Sequence, residues 1–466
     1  MLHHSNRSSA RFLALLCMAA LGAFDGFSQN TAPLTLERAV AQAIEHYPSV
    51  RASQEQVSAA AAGIRLARTA YLPRVDATAG INRATRNNTF GLLLSSQVIA
   101  PISGPVLGTN DLKSVWGSTA GFLVSWEPFD FGLRQSNVAI AEAAKARAQA
   151  GVARTEFEMG TVTADTFLTL VAAQETVRAG QASVERANIL FKIVDALVRA
   201  ELRPGAESSR ARAEEAAART QLIRAEQAVA EAQAALAQLL GIDPAQLAVL
   251  PGKLLQPPPS DAAGTQQLAG NPAAQEQGAA IEEARARLKS LERSYYPRFN
   301  VQGAAYARGS GALPNGAALG GVNGLGPTVQ NWGLGFTASF PLFELPALHA
   351  RQAAQSAAIR TEKSRYDQVL SELTGRVNIA KASLEGARRV AENTPVATEA
   401  ARAAVQQATA RYQAGLGNVV DVAEAQRLLT QSEIDDALAR LSVWRAKLAL
   451  AAAGGDLQPF LKQASQ

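Results

Sequence analysis

Cysteine is all but missing. The 466 residues hold one, Cys17, and four histidines. That excludes a disulfide framework, a cysteine-rich zinc module and chemistry by paired thiolates. Aromatics make up 6%. Charged residues make up 18%, below the roughly 25% of an average soluble domain. The 45 basic and 40 acidic side chains leave a formal charge of +5, too small and too evenly spread for nucleic-acid binding. No Gly-rich loop followed by Lys-Ser/Thr occurs, which excludes that kind of phosphate cradle. His46 and His349 lie far apart and in no ligand motif. No catalytic residue, cofactor site or metal site is expected, and an enzyme has almost no support. Past residue 28 no apolar run reaches 18 residues, so no membrane-spanning helix is expected. What is abundant is alanine, which points to long, closely packed helices.

Arg7 and Arg11 precede the short apolar run Phe12–Leu21, the pattern of a secretory signal peptide over residues 1–28. Gly26 and Ser28 suit a cut before Gln29, with a cut after Ala23 as the rival. Cys17 reads as a small apolar residue of the signal core. The alternative, a lipidated cysteine, sits badly with Leu16 before it.

The chain is written twice. Tyr71-Leu72-Pro73-Arg74 recurs as Tyr295-Tyr296-Pro297-Arg298, an offset of 224. Gly121-Phe122-Leu123-Val124-Ser125-Trp126 recurs as Gly335-Phe336-Thr337-Ala338-Ser339-Phe340, an offset of 214. This divides the mature chain into a first repeat (29–241), a Pro-rich linker (242–270) that no helix would carry, a second repeat (271–455) and a tail (456–466). Strands are expected near 74–86, 117–127, 298–308 and 330–341. Val75, Ala77, Ala79 and Ile81 alternate with mostly polar neighbours, as do Trp332, Leu334, Phe336, Ala338 and Phe340. Each segment is of a length to cross a membrane with tilt. The loops 86–116 and 309–328 carry turn chemistry and are expected to be exposed and mobile. Long helices are expected over 132–200, 207–240, 347–414 and 418–453. A helix of about 67 residues spans about 100 Å. Heptad spacing of Leu222, Val229 and Leu236, of Ala225, Ala232 and Leu239, and of Ile434, Leu441 and Leu448 supports coiled-coil packing.

Four strands cannot close a barrel, and open edges in lipid cost several kcal/mol for each unpaired backbone group. Chains must pool strands. Three chains supply twelve, enough for a water-filled lumen. The rival is a soluble, exported coiled-coil scaffold, which would not need the alternating segments.

The doubled plan, the Tyr-x-Pro-Arg joints and the Gly-Phe-x-x-Ser-Trp/Phe strands resemble the TolC-type outer-membrane efflux proteins. Tyr412–Ala425 is similar to that family's second hairpin tip. The resemblance covers about residues 34–455. It implies an α+β membrane protein: a homotrimer with a 12-stranded outer-membrane β-barrel, four strands per chain, continuous with a periplasmic α-helical coiled-coil barrel. It implies a passive exit duct partnered by a periplasmic adaptor (membrane fusion) protein, an inner-membrane pump of RND or ABC type and outer-membrane lipid. Efflux and type I protein secretion use similar ducts, and the sequence does not choose between them.

By the same resemblance Asp421 and Glu424 ring the periplasmic aperture. Three apart on a helix, they share one face. Tyr412 and Glu207 match the latch that holds the closed state. Leu202, Gly205, Gly415 and Leu416 match the adaptor-docking tips. Two departures stand out. Gly417 replaces the latch's basic residue, and Arg203 is not expected to take its place. Glu201 stands where the first tip should have a glycine, which throws the docking geometry into doubt.

Overall fold

The computed structural model describes residues 33–85, 112–259, 268–313 and 317–465. The expected signal peptide, Cys17 and most of the first loop lie outside the described residues. Helix α1 (Leu36–His46) begins at Thr35, whose Oγ1 accepts the Arg38 N–H at 3.4 Å. Pro48 opens α2 (Pro48–Thr69), where its missing N–H costs nothing. Strands β1 (Arg74–Thr85) and β2 (Ser114–Phe129) follow, then α3 (Leu133–Arg199) and α4 (Gly205–Leu240). The second half has the element order of α2 onward, with no α-helix matching α1 among the described residues. It runs α5 (Pro272–Arg293), β3 (Arg298–Ser310), β4 (Val329–Ser339), α6 (Leu345–Gln413) and α7 (Val419–Gly454), with α8 (Gln458–Ser465) closing the described chain. The two longest helices have 67 and 69 residues, and α6 runs through Pro395 without interruption.

The strands form one antiparallel sheet in the order β1-β2-β3-β4. The strand boundaries differ from expectation by up to three residues, and at two strands the cause is local. β2 reaches from Ser114 to Phe129 rather than 117–127, because pairing with β3 resumes beyond an irregularity between Trp126 and Phe129. β4 stops at Ser339, short of 341, since Pro341 has no N–H to donate. Register and alternation sort the side chains onto two faces. One face carries Val75, Ile81, Phe122, Val124, Trp126, Val301, Trp332, Leu334 and Phe336. The other carries Asp76, Thr78, Asn82, Thr119, Asn300, Gln302, Tyr306, Asn331 and Thr337.

The described part of loop 309–328 is mostly exposed, as expected, and is tied to the sheet at several points. Gly311 N–H donates to Trp116 O at 2.8 Å, Thr328 N–H donates to Arg308 O at 3.0 Å, and Ala312 bridges Ala318. Gly324 (φ 93°) lies so close to β2 that a Cβ there would sit 2.2 Å from Trp116 O. Glycine lets the loop's backbone pack directly onto the strand.

α3 packs along α4, and α6 along α7. Along α4 the buried residues Ala211, Ala218, Ala225 and Ala232 recur every seven, the small-residue seam that lets the backbones approach. Gly180 of α3 meets Leu222 at the same seam. Midway, α1, α3, α4, α7 and α8 share the main core, around Phe167, Leu236, Leu240, Trp444 and Phe460. The linker is not a plain spacer. It holds 3-10 turns at Pro244–Gln246 and Gly252–Leu255, with Pro244 opening the first and Pro251 just before the second, where no N–H is missed. Trp444 Nε1 donates to Gln256 O at 2.9 Å, and the buried Lys447 Nζ donates to Pro259 O at 2.7 Å. The expected tail is also structured: α8 buries Phe460, Leu461 and Ala464 in this core.

Candidate gate at the helix tips

Both long helices end in the same turn. In the first, Leu202 N–H reaches back to Leu197 O at 3.0 Å, and Glu201 adopts φ 61°. In the second, Leu416 N–H reaches Arg411 O at 2.8 Å, and Gly415 adopts φ 75°. This is the left-handed closure that satisfies the last carbonyls of a helix. Glutamate therefore keeps the tip geometry that glycine gives, at a cost of about 1–2 kcal/mol for an L-residue held left-handed. The first tip thus has the same turn as the second. Leu202 and Leu416 stand out from the two turns, 70% and 73% exposed. Gly205 is the first residue of α4, behind Pro204.

α7 starts with a capping box. Asn418 Oδ1 accepts the Asp421 N–H at 3.0 Å, and Asp421 Oδ2 accepts the Asn418 N–H at 3.4 Å. Asp421 thus has a structural partner as well as an exposed position. Glu424 is exposed one turn on.

Tyr412, at the end of α6, is 2% exposed among Leu190, Val194, Val419 and Val422. Its Oη donates to Glu207 Oε2 at 2.9 Å. Burial first, then the Glu207 carboxylate, push its phenol up to about 12. The structure thus brings Tyr412 and Glu207 together across 205 residues. Arg203 of the first tip reaches the same pair. Arg203 Nη2 donates to Tyr412 O at 3.1 Å, and its guanidinium lies 4.8 Å from the ring centroid. Its Nη1 is 3.9 Å from Glu207 Oε1. A base from the first tip thus stands beside the Tyr412–Glu207 pair, where Gly417 of the second tip has no side chain.

Two further links, not foreseen from the sequence, join the helical hairpins. Arg427 of α7 grips both carboxylate oxygens of Glu214 on α4, with Nε at 3.0 Å and one Nη2 contact at 2.6 Å. Arg186 of α3 donates to Thr430 Oγ1 at 2.9 Å and Glu433 Oε2 at 3.0 Å on α7. Glu207 and Glu214 are seven residues apart on α4, so both turn the same face to the second hairpin. That spacing was the available signal.

The family model for the outer membrane efflux protein matches residues 39–242 and 264–456. The chain belongs to the outer membrane efflux protein family. No curated protein matches it. Solved structures of similar fold include the outer-membrane channel OprN, at 19% identity and TM-score 0.70, covering 90% of this chain and 89% of that one. CusC matches at 14% identity and TM-score 0.73, covering 90% and 92%. The outer membrane protein VceC of Vibrio cholerae matches at 17% identity and TM-score 0.69, covering 90% and 96%. At these identities the likeness shows the fold: mostly helical, with a four-stranded sheet in each chain.

Proposed function

We propose that this efflux-family chain is one third of a passive outer-membrane exit duct. Three copies close twelve strands into a barrel, and their long helices continue as a tube in the periplasm. The observation that carries this is the two-faced sheet. Trp332, Leu334 and Phe336 expose an apolar band on one face, with Trp332 83% exposed, while the other face is polar. That pairing suits lipid outside and water inside. The outer edges of β1 and β4 have no strand partner among the described residues, and in lipid they need one. The two halves are copies of one unit, which places two helical hairpins per chain around the tube.

Asp421 and Glu424 ring the periplasmic aperture, and Tyr412 with Glu207 latches it shut, aided by Arg203. Leu202, Gly205, Gly415 and Leu416 offer two similar turns to a periplasmic adaptor, which connects an RND or ABC pump in the inner membrane. The cargo is small molecules. The test is fractionation of cells producing the full chain. Detergent-requiring, heat-modifiable trimers in the outer membrane are expected. Recovery as a soluble periplasmic protein would support the scaffold instead.

A further inference from the structure

We propose that the membrane section of the duct has a cationic inner wall that concentrates anions near its outer mouth. This rests on the duct reading, in which the polar sheet face lines the lumen. The charged residues on that face are Arg74, Asp76, Arg298 and Arg308. Arg74 and Asp76 cancel, with Nε 2.9 Å from Asp76 Oδ2. Arg298 and Arg308 have no acidic partner among the described residues. Glu127, the other nearby acid, sits beside the β2 irregularity at the helix end of the sheet.

Arg308 lies ten residues along β3 from Arg298, about 34 Å at strand rise, towards the loops. Its cross-strand partners are Thr119 and Val329. Its same-face neighbours Gly117, Tyr306 and Asn331 are uncharged too. From Phe299 to Phe340 the sequence contains no acid at all. Threefold repetition around a lumen places three Arg308 side chains in a ring with no acid beside them among the described residues. A confined wall of one sign raises the local concentration of counter-ions by roughly 10- to 1000-fold. The helix tips carry the opposite sign at Asp421 and Glu424. The duct is thus acidic at its periplasmic end and basic towards its outer end, and an anionic solute that passes the tips is favoured at the exit.

The experiment measures current through the purified full-length protein in a planar bilayer, with inorganic tripolyphosphate added on the loop side. Wild type is compared with Arg298→Gln/Arg308→Gln and with Arg298→Lys/Arg308→Lys. Wild type should be blocked. The glutamine variant should need about tenfold more tripolyphosphate for half block, and the lysine variant should match wild type. Equal half-block concentrations in wild type and the glutamine variant would overturn the proposal. So would loss of block in the lysine variant, because charge would then not be the cause. No current from any of the three would instead remove the duct reading beneath it.

Discussion

Tyr412 shows how one residue carries both packing and polarity. Its ring fills the tip core, and its hydroxyl crosses to the first hairpin at Glu207. The phenol is raised to about 12 from an ordinary value near 10. A raised value means that the folded state holds the proton more tightly. The link's contribution is therefore full below about pH 10 and is lost as pH rises through 12. An alkaline absorbance titration should show one tyrosine ionising near pH 12, absent from Tyr412→Phe; identical titrations of the two proteins would count against the link. Glu201 presents the opposite case, a side chain held in glycine's conformation. Glu201→Gly should stabilise the first tip by about 0.5–1 kcal/mol, the left-handed strain relieved less glycine's own entropy cost. Slower amide hydrogen exchange at Leu202 would report it, and unchanged or faster exchange would contradict it.

At the scale of elements, the two hairpins are joined along their lower part by Arg203, Arg427 and Arg186 in turn. Arg427 is 65% exposed, so its bidentate pair with Glu214 is discounted to about 0.5–1 kcal/mol. Arg427→Ala should speed exchange of the first amides of α7 by about two- to fivefold, and adding Glu214→Ala should change it little further. Additive effects of the two substitutions would show that they do not act on each other. Helices and strands were legible in the sequence because their periods are local: Val75 to Ile81 alternates, and Ala225 and Ala232 repeat by seven. Tyr412 and Glu207 were legible through family resemblance. The Arg427–Glu214 pair spans 213 positions, and only the seven-residue spacing of Glu207 and Glu214 hints at it. The linker and α8 were missed for a related reason. Their order comes from Trp444 and Lys447 on a distant helix, which capture the carbonyls of Gln256 and Pro259. A proline-rich string looks featureless until its partners are known.

At the scale of the whole molecule, one chain presents a lipid-suited sheet with two open edges, and helices too long for a globular domain. Low charge, abundant alanine and a single cysteine fit that design. Alanine lines the helix seams, and the strands keep most of their few charges on the polar face. The central claim is that these chains assemble into one gated, water-filled duct. Single-channel current through purified trimers in a planar bilayer tests it most directly. Wild type should conduct weakly, and Tyr412→Phe/Glu207→Ala should conduct several-fold more. Trimers that insert but carry no current in either form would contradict it.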